Sequence, residues 1–116
     1  MTLLFYVNNQ NLTLNPSQKG VVVASDSKNY LKAKFVFRTK EWQKATGIYV
    51  LFSHNGETYK KYLGAEEGVE DNECYVSPEV IKGGKFTISV FCEDRITTNI
   101  VEIPVQNSGY TENIVN

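Results

Sequence analysis

The chain has 116 residues, a net charge of −1, 41% hydrophobic residues and 22% charged residues. This is the length of one ordinary domain, which we place at residues 1–116, and the composition is that of a globular protein. The near-zero charge argues against nucleic acid or an anionic membrane as a partner. No stretch approaches the ~20 apolar residues of a membrane span. The N-terminal run 3–7 lacks the basic residues of a signal peptide and is predicted to be a strand.

The first predicted elements are short strands separated by turns. Residues 3–7 are apolar, 8–11 are turn-forming Asn and Gln, and 12–14 can return as the second strand of a hairpin. Residues 21–24 predict a further strand. From 31 to 38 every second residue is apolar and most of the others are Lys or Arg, an alternation that only a strand sorts into an apolar and a polar face.

The strongest local signal is a hairpin in the middle of the chain. Residues 47–52 form an apolar run, 57–63 follow, and the Asn-Gly pair at 55–56 tolerates the positive φ angles of a tight reverse turn. Two single turns of helix are predicted beside it. One spans 39–45, and the other lies in 77–84, where Ser stands at the N-cap, Pro at the first helical position and Gly past the end.

The last predicted strands lie at 85–93 and 99–105. The first alternates strictly except at Phe91, an aromatic residue on the polar face. In the second, Pro104 cannot donate a ladder hydrogen bond, so this strand is predicted to lie at a sheet edge or to end there. Residues 106–116 are predicted to form a C-terminal tail that frays or reaches a neighbour.

These elements predict an all-β fold, an Ig-like antiparallel β-sandwich of about seven to eight short strands with one or two single-turn helices. Two sheets would press their apolar faces together, with the tail outside. The predicted core residues are Phe35, Phe37, Ile48, Val50, Phe52, Phe86, Ile88 and Val90.

No catalytic or cofactor-binding residue is predicted, and the chain is not expected to be an enzyme. The single histidine, His54, stands in the predicted turn with no nucleophile context around it. The acidic stretch 66–73 does not match the ligand spacing of an EF-hand loop, so no metal site is assigned. Cys74 and Cys92 lack metal-ligand spacing and are expected to be buried thiols, with a disulfide as the less favoured alternative.

The charges are unevenly placed along the chain. One stretch, 28–44, carries six basic residues against one Glu, and a second, 66–79, carries six acidic residues and no basic one. The simpler interpretation is solvated surface. The alternative is a pair of complementary patches on a self-assembling surface, where opposite charges set orientation.

Several aromatic residues could instead stack on sugar rings, which makes a carbohydrate-binding module the alternative function. The residues in question are Trp42, Tyr59, Tyr62, Tyr75 and Phe91. For Trp42 we favour a place in the core, at one end of the sandwich.

Six segments share their order and spacing with a known pattern. They are KNYLKAKFVF at 28–37, EW at 41–42, YVLF at 49–52, CYVSPEVI at 74–81, GKFTISV at 84–90 and ITTN at 96–99. The pattern resembles the small β-sandwich at the N-terminus of tail and upper-baseplate proteins in phages and prophages of low-GC Gram-positive bacteria. The resemblance covers about residues 20–110, and it departs from the pattern where Ser77 is inserted before Pro78.

The resemblance implies a virion structural protein, made in the host bacterial cytoplasm and placed in the tail. Its partners would be other tail or baseplate proteins, with copies of itself forming a homo-oligomer in the particle. Relatives often continue into a helical stalk, whereas this chain ends soon after the sandwich. The chain is therefore expected to act as a standalone adaptor. Because the matching positions are fold-determining, no site residue is carried over. The edge near Pro104 and the tail 106–116 are the predicted docking elements.

Overall fold

The computed structural model describes residues 1–25, 30–93 and 96–106, and within them ten strands form two sheets packed face to face. The predicted all-β sandwich is therefore confirmed. The only regular helix there is one turn, α1 (Lys40–Gln43), and two 3-10 turns span Pro16–Gln18 and Pro78–Val80. The strands are β1 (Thr2–Asn8), β2 (Asn11–Leu14), β3 (Val23–Ala24), β4 (Lys32–Phe37), β5 (Ile48–His54), β6 (Glu57–Tyr62), β7 (Glu73–Tyr75), β8 (Gly84–Cys92), β9 (Ile96–Thr97) and β10 (Val101–Gln106).

The first sheet has the order β2-β1-β4-β7, and the second has the order β3-β10-β8-β5-β6, with β9 pairing beside β8. Most pairs are antiparallel as predicted, but β1–β4 and β10–β3 are parallel. The reason is a crossover: after β2 the chain leaves the first sheet, forms β3 at the edge of the second, and returns to place β4 beside β1. Parallel neighbours require such an excursion.

Both predicted hairpins are present. In the first, β1 and β2 pair from Asn8–Asn11 inward, and Asn9 takes a positive φ of 55° in the two-residue turn. In the second, β5 and β6 meet at His54 and Glu57, and the intervening Asn55 and Gly56 have φ values of 49° and 82°. Two consecutive positive φ angles match the twist of the paired strands, which explains why Asn-Gly stands there.

The core follows the predicted alternation in β4 and β8. Six of the eight predicted core residues are fully buried, and the other two, Phe37 and Ile48, are half-buried at its margin. The prediction missed the contribution of β1, whose residues Leu3, Phe5 and Val7 are completely buried because this strand lies in the middle of the first sheet. Phe5 stacks on Phe35 with ring centroids 5.3 Å apart.

Both predicted helical turns are present, one as α1 and the other as the 3-10 turn Pro78–Val80. The helical turn predicted within 39–45 is confirmed as α1. In the turn after β7, Ser77 stands at the N-cap position, but its side chain makes no capping bond and its hydroxyl donates instead to Glu79 Oε1 at 2.7 Å. That bond lowers the pKa of the Glu79 carboxyl, because it stabilises the carboxylate.

The last strand differs from its prediction at Pro104. β10 does not end there; it pairs with β8 from Val101 to Val105, and β3 covers only Val105 and Gln106 on its other side. It is therefore an edge strand over its first part alone. The predicted tail, apart from Gln106, lies outside the described residues. Within the described ranges no helix is long and apolar enough to cross a membrane.

Candidate functional site

The residues that could carry chemistry are engaged in structural contacts. His54 closes the β5–β6 hairpin, and its Nδ1 lies 3.0 Å from the Lys85 carbonyl oxygen. Among the described residues, no group of three His, Cys, Asp or Glu side chains is placed to hold a metal ion. Cys74 and Cys92 are buried and unpaired, as expected, with Cys74 in the first sheet and Cys92 in the second. Burial raises the pKa of the Cys74 thiol to about 12.

The acidic stretch folds onto the chain's own basic residues. Lys34 Nζ lies 3.1 Å from Glu70, and Lys61 Nζ lies 2.9 Å from Glu66. Lys32 Nζ donates to the carbonyl of Gly68 at 2.7 Å within the same loop. Part of the charge complementarity seen in the sequence is therefore satisfied inside one molecule, between β4, β6 and the loop before β7.

Trp42 is a core residue rather than a sugar platform. Its side chain is 1% exposed, its ring stacks on Phe37 at 5.6 Å, and its Nε1 donates to the Asn9 carbonyl at 2.6 Å. This contact joins α1 to the first hairpin turn and closes one end of the sandwich. The place in the core that the sequence analysis favoured for Trp42 is therefore confirmed.

Phe91 belongs to an aromatic cluster on the outer face of the second sheet. Its ring stacks on Tyr49 at 5.5 Å with an interplanar angle of 6°, and Tyr62 meets Tyr49 edge-on at 5.7 Å. Lys60 Nζ lies 4.7 Å from the Tyr49 centroid. These are cross-strand pairs in register, and they cover the Tyr49 ring from its neighbours on both sides. The sequence analysis did not single out Tyr49.

The other two aromatic candidates are also engaged. The hydroxyl of Tyr59 donates to Glu57 at 2.6 Å, a bond that raises the pKa of the phenol because it favours the neutral form. Tyr75 lies beneath the ammonium of Lys32, 5.4 Å from the ring centroid. Both side chains are therefore already in contact with a charged neighbour, Glu57 for Tyr59 and Lys32 for Tyr75.

An apolar opening in the described surface lies between β2 and β10, where the two sheets part. We call it the seam: a groove of about 540 Å³ lined by residues 13, 14, 16, 19–21 and 101–104. Val22 beside it is 48% exposed, and Ile100 at its end is 64% exposed. Apolar surface of this kind, left open between two strands, makes the seam a candidate contact site.

The edge of β10 that faces the seam has unused backbone groups at Glu102. Val90 in β8 donates its N–H to Thr98 Oγ1 and accepts from Thr98 N–H, both at 3.0 Å, so its backbone groups point toward β10. Every second residue of β8 points the same way, and these residues pair with Val101 and Ile103. Glu102 therefore directs its N–H and C=O outward, where no described strand pairs with it.

Pro104 occupies the next outward-facing position of β10. Its missing N–H falls on the free edge, so β8 loses no hydrogen bond to it. A proline at an edge also limits how far another strand can add there. Free backbone hydrogen bonding on this edge is thus concentrated at Glu102.

The edge of β2 that faces the seam is partly closed by one side chain. Asn15 donates its N–H to the Leu4 carbonyl at 2.8 Å, and by alternation Leu12 and Leu14 direct their backbone groups away from β1. The carboxamide of Asn99 bonds both groups of Leu12: Oδ1 accepts at 2.7 Å and Nδ2 donates at 3.2 Å. The backbone groups of Leu14 face the seam with no strand partner in the described ranges.

Asn99 is a residue whose role the sequence analysis missed. It lies 87 positions from Leu12, and no local pattern connects the two. The only signal was its place at the end of the ITTN segment, which entered the resemblance without a physical reason. Its neighbour Thr98 bonds both backbone groups of Val90, as a residue of a paired strand would. The segment therefore joins β8, β10 and β2.

Comparison with protein-family models and with curated proteins found no match.

Proposed function

We propose that this chain is a structural protein of a bacteriophage or prophage tail or baseplate, an adaptor that acts by protein–protein assembly and has no catalytic role. The proposal starts from the resemblance of six strand and turn segments, several of which have clear structural duties. Trp42 closes one end of the sandwich, and Thr98-Asn99 ties the sheets together at the seam. Side chains with such duties build a scaffold, and the function of a scaffold lies in the surfaces that it presents.

The observation that carries the proposal is the seam. It combines an apolar groove with outward-facing backbone groups at Glu102 and Leu14, which is the chemistry of a contact with another polypeptide. Among the described residues, Cys74 and Cys92 are buried and His54 is bonded to the backbone. A protein that works by being bound needs an open surface of this kind and nothing more.

The test is the presence of the chain in assembled particles. Particles would be purified from the bacterium that carries the gene, after induction of the prophage, and their proteins identified by mass spectrometry. We expect the chain in the tail fraction at a fixed ratio to the other tail proteins. Electron microscopy with an antibody against the chain should then decorate one level of the tail. Expression of the chain without incorporation into any particle would contradict the proposal.

A carbohydrate-binding sandwich is the alternative, and the aromatic cluster of Tyr49, Tyr62 and Phe91 is where such binding would occur. Sugars stack on exposed ring faces, whereas here the Tyr49 ring is covered by its neighbours. Tyr62, at 46% exposed, is the ring of this cluster most open to solvent. A glycan array with the native chain and Tyr62→Ala tests this function, which requires binding by the first and its loss in the second.

A further inference from the structure

We infer that the seam of one copy takes residues 107–116 of a second copy as an added strand that pairs with β10 at Glu102. This inference rests on the proposed function and deepens it, because it names the contact through which copies assemble. Three features of the molecule support it: the chemistry of the seam, the composition of the segment, and the position of β3.

The seam selects an extended polypeptide. Glu102 offers an N–H and a C=O on the same side of β10, and only an extended backbone supplies the matching acceptor and donor. The groove beside these groups is lined by Leu14, Val21 and Val101, so the added strand must place apolar side chains on one face. A small ligand or a sugar would leave that lining uncovered.

The segment that follows β10 has this composition. In an extended chain Tyr110, Glu112 and Ile114 share one side, because side chains alternate with a period of two. Two apolar side chains thus flank one carboxylate. The seam presents the complement: its lining is apolar, and the ammonium of Lys19 on its rim forms no ion pair with the described residues.

The position of β3 directs the segment to a second copy. β3 pairs with Val105 and Gln106 on the seam side of β10, so this place is already filled where the chain leaves the strand. A direct hairpin return from Gln106 onto Glu102 would have to displace β3. The seam of a neighbouring molecule has no such obstruction. The resulting contact joins two different surfaces, so it repeats from copy to copy and can close into a ring.

The experiment measures self-association of the full chain by sedimentation velocity over a micromolar to millimolar dilution series. We expect reversible association in the native chain. Glu102→Pro removes the outward N–H without breaking a bond to β8, and we expect it to weaken association by at least about tenfold. Glu102→Ala is the matched control, since it removes the same carboxylate but keeps the N–H, and it should associate like the native chain.

A second pair of variants tests the donor segment. Ile114→Asp should abolish association, whereas Tyr30→Asp, at an exposed residue that does not line the seam, should leave it intact. A synthetic peptide with the sequence of residues 107–116 should compete and return the native chain to monomer. Circular dichroism melting curves confirm that each variant is folded.

Hydrogen exchange distinguishes the two ways in which the segment could reach a seam. The amides of Glu102 and Leu14 should gain protection as the concentration rises. Protection that is the same at every concentration would show that a copy covers its own seam, and a chain that stays monomeric throughout the series, or an Ile114→Asp variant that still associates, would equally overturn the inference. None of these results bears on whether the chain is found in particles, so the proposed function would stand or fall separately.

Discussion

The two long sides of the sandwich differ: the side between β6 and β7, which we call the closed side, is joined by many contacts, and the side between β2 and β10, which we call the open side, is joined by few. Between β6 and β7 the chain crosses from one sheet to the other, and Gly64 donates its N–H to the Glu73 carbonyl at 2.9 Å. The loop there is held by three lysine contacts to Glu66, Gly68 and Glu70. Between β2 and β10, in contrast, the described connection is Asn99, whose carboxamide bonds Leu12 and whose N–H donates to the Gln10 carbonyl at 3.1 Å, and beyond it the seam is open.

This difference concerns the charged stretches, for which solvated surface was the simpler interpretation and complementary patches on a self-assembling surface the alternative. The acidic stretch pairs within the molecule, through Glu70 with Lys34 of the basic stretch and through Glu66 with Lys61 of β6. The side with few charges keeps apolar lining and free backbone groups. Charges can be satisfied by side chains of the same chain, but a strand edge is satisfied only by another strand or by a residue that imitates one.

The largest expected effect concerns Cys74, which lies in β7 at the closed side. Because burial raises its pKa to about 12 from 9.0, its thiolate is about a thousandfold scarcer than that of an ordinary cysteine near neutral pH. We expect iodoacetamide to modify Cys74 at a rate set by unfolding of the protein. Peptide mapping by mass spectrometry after timed labelling measures this rate. Labelling as fast as in denaturant would show that the closed side opens readily.

The same pKa shift predicts an alkaline limit to stability. The thiol contributes fully below pH 9.0, and its contribution is lost as the pH rises from 9.0 toward 12, because the unfolded chain releases its proton first. Melting temperatures of the native chain and of Cys74→Ala should therefore converge over this range. A constant difference between the two would contradict the assignment.

Two glycines with positive φ compare the sides directly. A Cβ on Gly64, at the closed side, would lie 3.1 Å from the Asp71 Cα, whereas a Cβ on Gly20, in the seam, meets nothing within 4 Å. Both Gly→Ala variants carry the cost of a left-handed conformation, about 1–2 kcal/mol. Gly64→Ala should lose about 1–3 kcal/mol more through crowding. Urea unfolding measures both, and equal losses would mean that the closed side yields without cost.

Asn99→Ala removes the carboxamide that bonds Leu12 at the open side. The N–H and C=O of Leu12 lose their partners, and we expect a loss of about 1–2 kcal/mol in the free energy of unfolding. Hydrogen exchange at Leu12 should accelerate in the same variant. Asn11→Ala, at the exposed residue just before Leu12, serves as the control and should change stability by less than about 0.5 kcal/mol. Similar losses of unfolding free energy in the two variants would show that the Asn99 carboxamide does not stabilise the open side.

The smallest effects belong to the ion pairs. Lys61–Glu66 at the closed side has side chains 25% and 34% exposed, and Lys85–Glu102 beside the seam has side chains 61% and 57% exposed. We expect Glu66→Gln to cost about 0.5–1 kcal/mol and Glu102→Gln close to nothing, because solvent screens the exposed pair. Thermal melts at low and high salt measure both, and the larger salt dependence should belong to Glu66.

The sequence predicted those parts of the fold that depend on neighbouring residues. The Asn55-Gly56 turn carries its own conformational preference, and the alternation in β4 and β8 is visible within ten residues. The parallel pairing of β1 with β4 was not predicted, because alternation shows which face of a strand is buried and not which strand lies beside it. The burial of β1 was missed for the same reason.

The candidate site was only partly predictable. Pro104 identified a free edge, since a residue without an N–H is tolerated only where no bond is needed. The extent of that edge depends on β3, a two-residue strand that pairs with residues 82 positions further along the chain. The pairing of Asn99 with Leu12 likewise spans most of the chain, and nothing in either residue's own neighbourhood indicates it.

The distance in sequence between Asn99 and Leu12 also has a consequence for synthesis. The first hairpin can form as soon as it leaves the ribosome, but β1 must wait for β4, and β2 for Asn99. Until nearly the whole chain has emerged, the apolar face of the hairpin has no sheet to cover it. Nascent chains of this protein should therefore depend on chaperone contact early in translation, and the dependence should end once Asn99 and β10 have left the ribosome.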